Sequence, residues 1–327
     1  MTPLNKASGK TSGLSGLHRR FTLTRHRAGR LEPTVQGMLW SAAAGMAFTV
    51  LNSVMRALAI QLDPFQAQFL RYVFGLLVML PWVYRAGLAA FRPKQLGGQF
   101  LRGAVHTVGL FLWFAALPKI PLADMTAIGF TGPIFIMIGA YLVFKEPMRW
   151  ERWLAALIGF VGVVIVVWPK LSVASGTMNS TGGVSDVGLY NLLMLASAPM
   201  FAASFLLTKA LTRYERTEVI VVWQALTVTL FSLPMALLHW QSPTLAQWLG
   251  FLVCGVLGST GHYCLTRSFG VADISATQSV KFLDLVWSAA LGWLVFSDSP
   301  SQSTLIGGVV ICASTLWIAR REARTKG

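Results

Sequence analysis

Ten apolar stretches, most of them about 20 residues long, make up most of this chain of 327 residues. A stretch of this length crosses the hydrocarbon core of a bilayer as an α-helix. The stretches lie near 35–58, 65–84, 97–117, 121–144, 153–168, 187–208, 218–238, 246–268, 271–296 and 303–319. Only 12% of the residues are charged, against about 25% in an ordinary soluble domain. The sequence therefore predicts an all-α integral membrane protein of about ten transmembrane helices.

The positions of Lys and Arg predict the orientation of these helices. If successive helices alternate in direction, most of the basic residues fall on one side of the membrane, and the other side keeps only Lys119 and Lys170. Since basic segments are retained in the cytoplasm, both termini are predicted to be cytoplasmic, in the cell inner membrane. Residues 1–34 and 320–327 then form basic cytoplasmic tails. Residues 1–34 contain no apolar core of a secretory signal, and an Arg-rich transit peptide is the alternative for them.

The net charge of +15 follows from this sorting and does not indicate a nucleic-acid partner, because nucleic-acid binding needs Lys and Arg clustered on one folded face. Three cysteines lie within apolar stretches without metal-ligand spacing and are interpreted as small hydrophobic residues. The sequence contains no P-loop, HExxH or GxSxG motif. It therefore predicts no catalytic residues, no metal and no cofactor. The expected partners are a small-molecule substrate and the lipid bilayer, and a homodimer is left open.

The second half of the chain repeats the first. Leu122-Ala123-Asp124 opens the fourth stretch, and Val271-Ala272-Asp273 opens the ninth. The polar residues 169–186 separate the two halves and are predicted to be an external linker between five-helix repeats at 35–168 and 187–319. Because five is an odd number, the second repeat enters the membrane from the opposite side. Inverted repeats of this kind are the architecture of secondary transporters.

Both aspartates of the repeat have a simpler interpretation. Asp124 and Asp273 each precede a Thr or Ser at the start of a helix, where a helix N-cap is favoured over a chemical role. The ninth stretch is longer than the fourth, so its helix is expected to be longer, more tilted or bulged. Gly129, Gly132 and Pro133 are expected to let the fourth helix bend.

The chain resembles the ten-span EamA-type members of the drug/metabolite transporter superfamily over about residues 35 to 319. The features that carry the resemblance are Asp63-Pro64 followed by Arg71, Leu122-Ala123-Asp124, Pro133, Phe144-Lys145-Glu146-Pro147 and Phe282-Leu283-Asp284-Leu285-Val286-Trp287. The resemblance implies export or import of amino acids, vitamins, nucleotide-like metabolites or sugars without ATP. Two departures leave the substrate class open: the second repeat lacks a proline matching Pro133, and Asp298 stands where the family commonly has Glu.

Ionisable residues within the apolar stretches are the candidate site, because a charge at the bilayer centre costs at least about 2.5–3.5 kcal/mol. Arg71 lies seven residues after Pro64, roughly 10 Å below the outer surface. It either extends its side chain to the interface or faces a cavity. Gln224 occupies the matching position of the second repeat, and a polar residue at both places favours the cavity.

Lys281 lies about 15 Å into the ninth stretch, near the bilayer midplane, with Asp284 three residues further on the same helix face. An inert ion pair is one interpretation, and a pair that exchanges its partner for substrate or a proton is the other, which we favour. His106 and His262 are either packing residues or proton carriers. Three aromatic residues are expected to stack on substrate: Trp113, Tyr263 and Trp287.

These observations predict a secondary transporter that works by alternating access. Arg71 and Lys281 suggest an anionic group on an otherwise apolar or aromatic metabolite. The leading hypothesis is an exporter of an amino-acid-like or other anionic or aromatic metabolite. The alternative is an importer of a vitamin or nucleotide-like metabolite. Proton coupling through Asp284, His106 or His262 and facilitated diffusion fit equally well. A membrane-embedded transferase and a non-transporting sensor are less favoured, since the loops lack a cluster of acidic or metal-ligating residues.

Overall fold

In a computed structural model, residues 32–59, 61–116, 128–129, 131–147, 149–175, 186–296 and 302–324 are described. The predictions that concern Asp124, Asp298, the tail at 1–31 and most of the linker lie outside these residues. The helices are α1 (Pro33–Ala59), α2 (Pro64–Ala86), α3 (Leu96–Ala116), α4 (Gly132–Phe144), α5 (Trp150–Ser175), α6 (Asp186–Leu211), α7 (Thr217–Leu238), α8 (Leu245–Val271), α9 (Ile274–Thr277), α10 (Leu283–Phe296) and α11 (Gln302–Arg324). Two 3-10 segments cover Leu88–Phe91 and Gln278–Phe282.

The part of the chain that is described is helical throughout and contains no β-strand. Six of its helices have enough length and apolarity to cross a membrane: α1, α2, α6, α7, α8 and α11. The all-α membrane fold predicted from the apolar stretches is thereby confirmed.

The helix ends follow the local sequence. Asp63 caps α2, since its carboxylate accepts hydrogen bonds from the backbone N–H groups of Phe65 (2.9 Å) and Gln66 (3.1 Å), and Pro64 occupies the first turn, where no N–H is needed. Thr244 and Gln247 form a capping box at the start of α8. Polar residues at these turns therefore satisfy the backbone groups that a helix end leaves without partners.

Two predicted boundaries need correction. The linker was expected at 169–186, but α5 continues to Ser175 and α6 begins at Asp186. The ninth apolar stretch is not one helix, because a 3-10 segment separates α9 from α10. The physical reason lies in the carbonyl of Ile274, which accepts hydrogen bonds from the side chains of Thr277 (2.7 Å) and Gln278 (2.9 Å). Side chains here compete with the regular helical ladder.

The fourth apolar stretch is also interrupted within its described residues. Thr131 is the N-cap of α4, and Pro133 lies in the first turn of that helix. A helix start therefore occurs where the sequence predicted a bend.

The helices of the first half pack mainly against those of the second half. The most extensive contacts join α1 with α8, α3 with α6, and α5 with α11. Helix α2 packs against both α7 and α8, and α3 also contacts α7. The centre of the molecule is thus formed by α2, α3, α7 and α8 together, and it is here that most of the buried polar side chains described below are found.

Candidate substrate cavity

A small cavity of about 20 Å³ lies between α2, α7 and α8. The residues that line it include Arg71, Tyr72, Gln224, Gly258, Ser259 and His262. Three of the residues singled out from sequence, Arg71, Gln224 and His262, therefore meet at one place. The clear space inside it holds little more than a water molecule, so in this conformation the walls are close together.

Arg71 faces the cavity and is held there by Tyr72. Its Nη2 donates a hydrogen bond to the Tyr72 hydroxyl at 3.3 Å, and its guanidinium carbon lies 4.7 Å from the centroid of the Tyr72 ring. Gly258 of α8 lies opposite, where an added Cβ would be 3.8 Å from Arg71 Nε. The Arg71 side chain therefore turns inward to the cavity, as one of its two interpretations predicted.

The hydroxyl of Tyr72 connects the two intramembrane histidines. Its oxygen lies 3.0 Å from Nε2 of His106 and 3.4 Å from Nε2 of His262. Nδ1 of His106 lies 3.1 Å from Oγ of Ser204. A tyrosine hydroxyl has one proton to donate, so it can donate to only one of these histidines at a time. Tyr72 thus brings His106 and His262 to one hydroxyl group.

Arg102 is one of the basic residues whose distribution places them on the cytoplasmic side of the membrane, although it lies within the apolar stretch 97–117. The structure shows that it is buried instead. It is only 2% exposed. Its guanidinium donates hydrogen bonds to Thr208 Oγ1 (2.5 Å), to the carbonyl oxygen of Ile220 (3.1 Å) and to Oε1 of Gln224. The available signal was its spacing, since Arg102 lies four residues before His106 and thus on the same face of α3.

Neither Arg71 nor Arg102 forms an ion pair with any acidic side chain in the described ranges. Two guanidinium groups near the centre of the molecule thus lack a counter-charge there. Guanidinium carries hydrogen-bond donors and no acceptor. The surroundings therefore favour a ligand that carries acceptor oxygens or a negative charge.

Lys281 lies next to the cavity but is not among the residues that line it. Its Nζ is 3.6 Å from Oδ2 of Asp284 and 5.6 Å from the centroid of the Phe48 ring. The Phe48 ring also meets His262 edge-on, with ring centroids 5.0 Å apart. The predicted pair of Lys281 and Asp284 exists, and Phe48 contacts both Lys281 and His262.

Asp284 also lies against α1. A Cβ added at Gly45 would come 2.0 Å from Oδ1 of Asp284, so the absence of a side chain at this position makes room for the carboxylate. The ion pair therefore depends on close packing between α1 and α10.

The three predicted aromatic residues do not line the cavity. Trp113 packs edge-on to Phe114 and lies beside the small cluster of Ala116 and Met194. Tyr263 packs edge-on to Trp40, with centroids 6.3 Å apart. The buried indole N–H of Trp287 has no hydrogen-bond partner among the described residues. Tyr72 lines the cavity, and Phe48 packs against the lining residue His262. Sequence reasoning missed both, although Tyr72 directly follows Arg71.

A second polar cluster connects the two halves at one end of the molecule. The carboxylate of Glu146 accepts hydrogen bonds from the backbone N–H groups of Ile274 and Ser275, both at 3.0 Å, and from the Ser275 hydroxyl at 2.6 Å. Arg152 donates to Ser275 Oγ (2.7 Å) and to Oδ2 of Asp273 (3.0 Å). All of these bonds join the first half to the start of α9.

This cluster corrects the interpretation of Asp273. The residue is at the N-cap position of α9, but its side chain makes no capping hydrogen bond. The carboxylate of Glu146 caps α9 in its place, and Asp273 pairs with Arg152. Likewise Lys209, counted as a flanking charge, donates to the carbonyl oxygens of Phe269 (2.7 Å) and Ala272 (2.5 Å) at the end of α8.

The chain is similar to known proteins over most of its length. The model of the EamA-like transporter family matches residues 35–168 and again residues 188–320. A riboflavin transporter of Rhizobium johnstonii is 34% identical over 90% of this chain and 95% of its own length. A riboflavin transporter of Vibrio cholerae is 30% identical over 89% and 95%. An S-adenosylmethionine uptake transporter of Rickettsia prowazekii is 26% identical over 90% and 96%.

A solved crystal structure shares the fold, with a TM-score of 0.70 at 18% identity, covering 89% of this chain and 98% of the other. The resemblance to this superfamily seen in the sequence is thus confirmed by the family match and by relatives over nearly their whole length. The chain belongs to the EamA-like transporter family, and it is a membrane transporter of small molecules rather than an enzyme.

Proposed function

We propose that the chain is a secondary transporter of about ten transmembrane helices, in two inverted five-helix halves at 35–168 and 187–319, with both termini in the cytoplasm. The double match of the family model supports the two halves. The helix packing supports them too. If each helix is replaced by its counterpart in the other half, the contact between α1 and α8 becomes the contact between α6 and α3. In the same way, the contact between α2 and α8 becomes the contact between α7 and α3. All four contacts are present. Two near-equivalent halves provide inward-open and outward-open states of similar energy.

The cargo we propose is a flat heteroaromatic metabolite with acceptor oxygens, taken up into the cell, and riboflavin is the first candidate. The observation that carries this proposal is the donor-rich cavity, in which Arg71 and Gln224 meet and no acidic residue of the described chain compensates the arginines. The relatives named for riboflavin and for S-adenosylmethionine uptake support the import alternative over the export of an amino-acid-like metabolite. Both named compounds contain a heteroaromatic ring system.

In this proposal Arg71 and Gln224 contact the cargo directly. Lys281 contacts it when the cavity opens past Phe48, and Trp113, Tyr263 and Trp287 provide further aromatic contacts as the helices move. Asp284, His106 and His262 are the proton-coupling candidates, because Phe48 contacts both Lys281 of the ion pair and His262 of the histidine pair. Uptake that is independent of a pH gradient across the membrane contradicts proton coupling and favours facilitated diffusion.

Riboflavin uptake into vesicles containing the purified protein tests the proposal. We expect Arg71→Ala and Lys281→Ala to lower uptake by about tenfold or more, since a hydrogen bond to a charged group contributes about 1.5–3 kcal/mol. Arg85→Ala, at the exposed end of α2, is the matched control and should transport normally. Normal uptake by both site variants contradicts the site, and uptake by the wild type no greater than by empty vesicles contradicts the cargo.

A further inference from the structure

The side-chain amide of Gln224 has one orientation, and Arg102 determines it. Arginine only donates hydrogen bonds, so the group of Gln224 that faces Arg102 must be the carbonyl oxygen, as found. The amide nitrogen then faces the other way. Gln224 is 1% exposed and lines the cavity. Its Nε2 makes no hydrogen bond of standard geometry among the described residues, and the Tyr72 hydroxyl is a polar group close to it.

A buried donor without a partner is unfavourable unless a ligand provides an acceptor. Elsewhere in the cavity, the Arg71 guanidinium has one nitrogen bonded to Tyr72, which leaves other N–H groups free to donate. Arg71 and Gln224 come from α2 and α7, the helices at matching positions of the two halves. The cavity therefore has one donor group from each half.

Arg102 itself is fixed by groups outside the cavity. Thr208 of α6 and the carbonyl of Ile220 of α7 accept its other hydrogen bonds, and Arg102 is not among the residues that line the cavity. Its guanidinium is thus immobilised by two helices, which makes it suited to hold an amide in place and unsuited to contact cargo.

We propose that Gln224 and Arg71 form a two-donor clamp for carbonyl or carboxylate oxygens of the cargo, and that Arg102 is the positioning residue that keeps the Gln224 amide in the donating orientation. This inference rests on the proposed transport function and identifies the part of the cargo that is recognised. Conjugated ring carbonyls and carboxylates satisfy such a clamp. A compound that presents only donors at this edge leaves the buried amide without an acceptor and is rejected.

The test is a double-mutant cycle on riboflavin uptake into vesicles, with KM and kcat measured separately. Gln224→Ala removes the donor and should raise KM about tenfold, the effect of one lost hydrogen bond of typical strength. Arg102→Lys, whose single ammonium cannot reach all three acceptors at once, should also raise KM. In the Gln224→Ala background, Arg102→Lys should raise KM no further, because the amide that it positions is gone.

Thr227→Val is the matched control, since the hydroxyl of Thr227 bonds to the carbonyl oxygen of Trp223 in its own helix. It should leave KM unchanged. If the increase in KM of the double variant is the product of the two single increases, the positioning role of Arg102 is overturned. An unchanged KM in Gln224→Ala overturns the clamp. If Arg102→Lys does not fold, Gln224→Ala still decides the clamp, and Thr208→Val replaces Arg102→Lys in the cycle. Wild-type vesicles without uptake overturn the proposed function together with the clamp.

Discussion

Replacing Gly255 by alanine should destabilise the packing of α2 on α8, the two helices that form one wall of the cavity. A Cβ at this position would lie 2.6 Å from the carbonyl carbon of Phe74 and 2.9 Å from the backbone nitrogen of Gly75. Carbon atoms in contact normally lie about 3.5–4.0 Å apart, so α2 and α8 must separate by about 1 Å. The obstacle is backbone on both sides, so no side-chain rotation relieves it.

The expected cost is about 1–3 kcal/mol, the usual penalty for overpacking a close contact. A gap of this size removes about a quarter to a half of the dispersion energy of each contact that it opens. The affected contacts belong to the largest buried cluster, which includes Tyr72, Phe251 and Cys254.

Gly258→Ala is the matched control, because it adds the same methyl group to the same helix. There the nearest atom, Arg71 Nε, is 3.8 Å away, which is an ordinary contact. The gain in helix propensity is common to both variants, about 1 kcal/mol as measured in water, so the difference between them isolates the packing cost. Thermal unfolding of the purified proteins in detergent, followed by tryptophan fluorescence, should give a lower midpoint for Gly255→Ala than for Gly258→Ala. Equal midpoints would refute the argument.

Two further substitutions test the polar clusters. Glu146→Gln replaces one acceptor oxygen by a donor at the start of α9 and should weaken closure at that end by about 1–3 kcal/mol. Maleimide labelling of a cysteine placed at Met137, which lines the small pocket beside this cluster, should then be faster. Glu218→Gln, at a carboxylate that pairs with Arg216, should label at the wild-type rate. Tyr72→Phe removes the hydroxyl shared by both histidines and Arg71. It should lower uptake about tenfold, while Tyr84→Phe, at an 87% exposed tyrosine, transports normally. Unchanged labelling or unchanged uptake contradicts the respective cluster.

The sequence alone determined the class of fold and part of the candidate site. Apolar stretches of bilayer length follow directly from the absence of water in the membrane core, so the helical membrane fold could be predicted from them, although not every helix boundary. Counting back from Pro81 and Pro234 suggested that Arg71 and Gln224 correspond, and both residues line the same cavity. The pair of Lys281 and Asp284 was equally accessible, because its spacing of three residues is local.

Only the tertiary structure decided which polar groups meet across helices. Arg102 has the same sequence signature as a flanking charge, and its burial depends on acceptors from α6 and α7 that lie more than 100 positions away. Glu146 caps a helix of the other half, which no local pattern reveals, since a capping carboxylate is normally sought next to the helix that it caps. Periodicity and composition describe what each segment requires from its surroundings, whereas the partner that satisfies it is set by how the two halves pack.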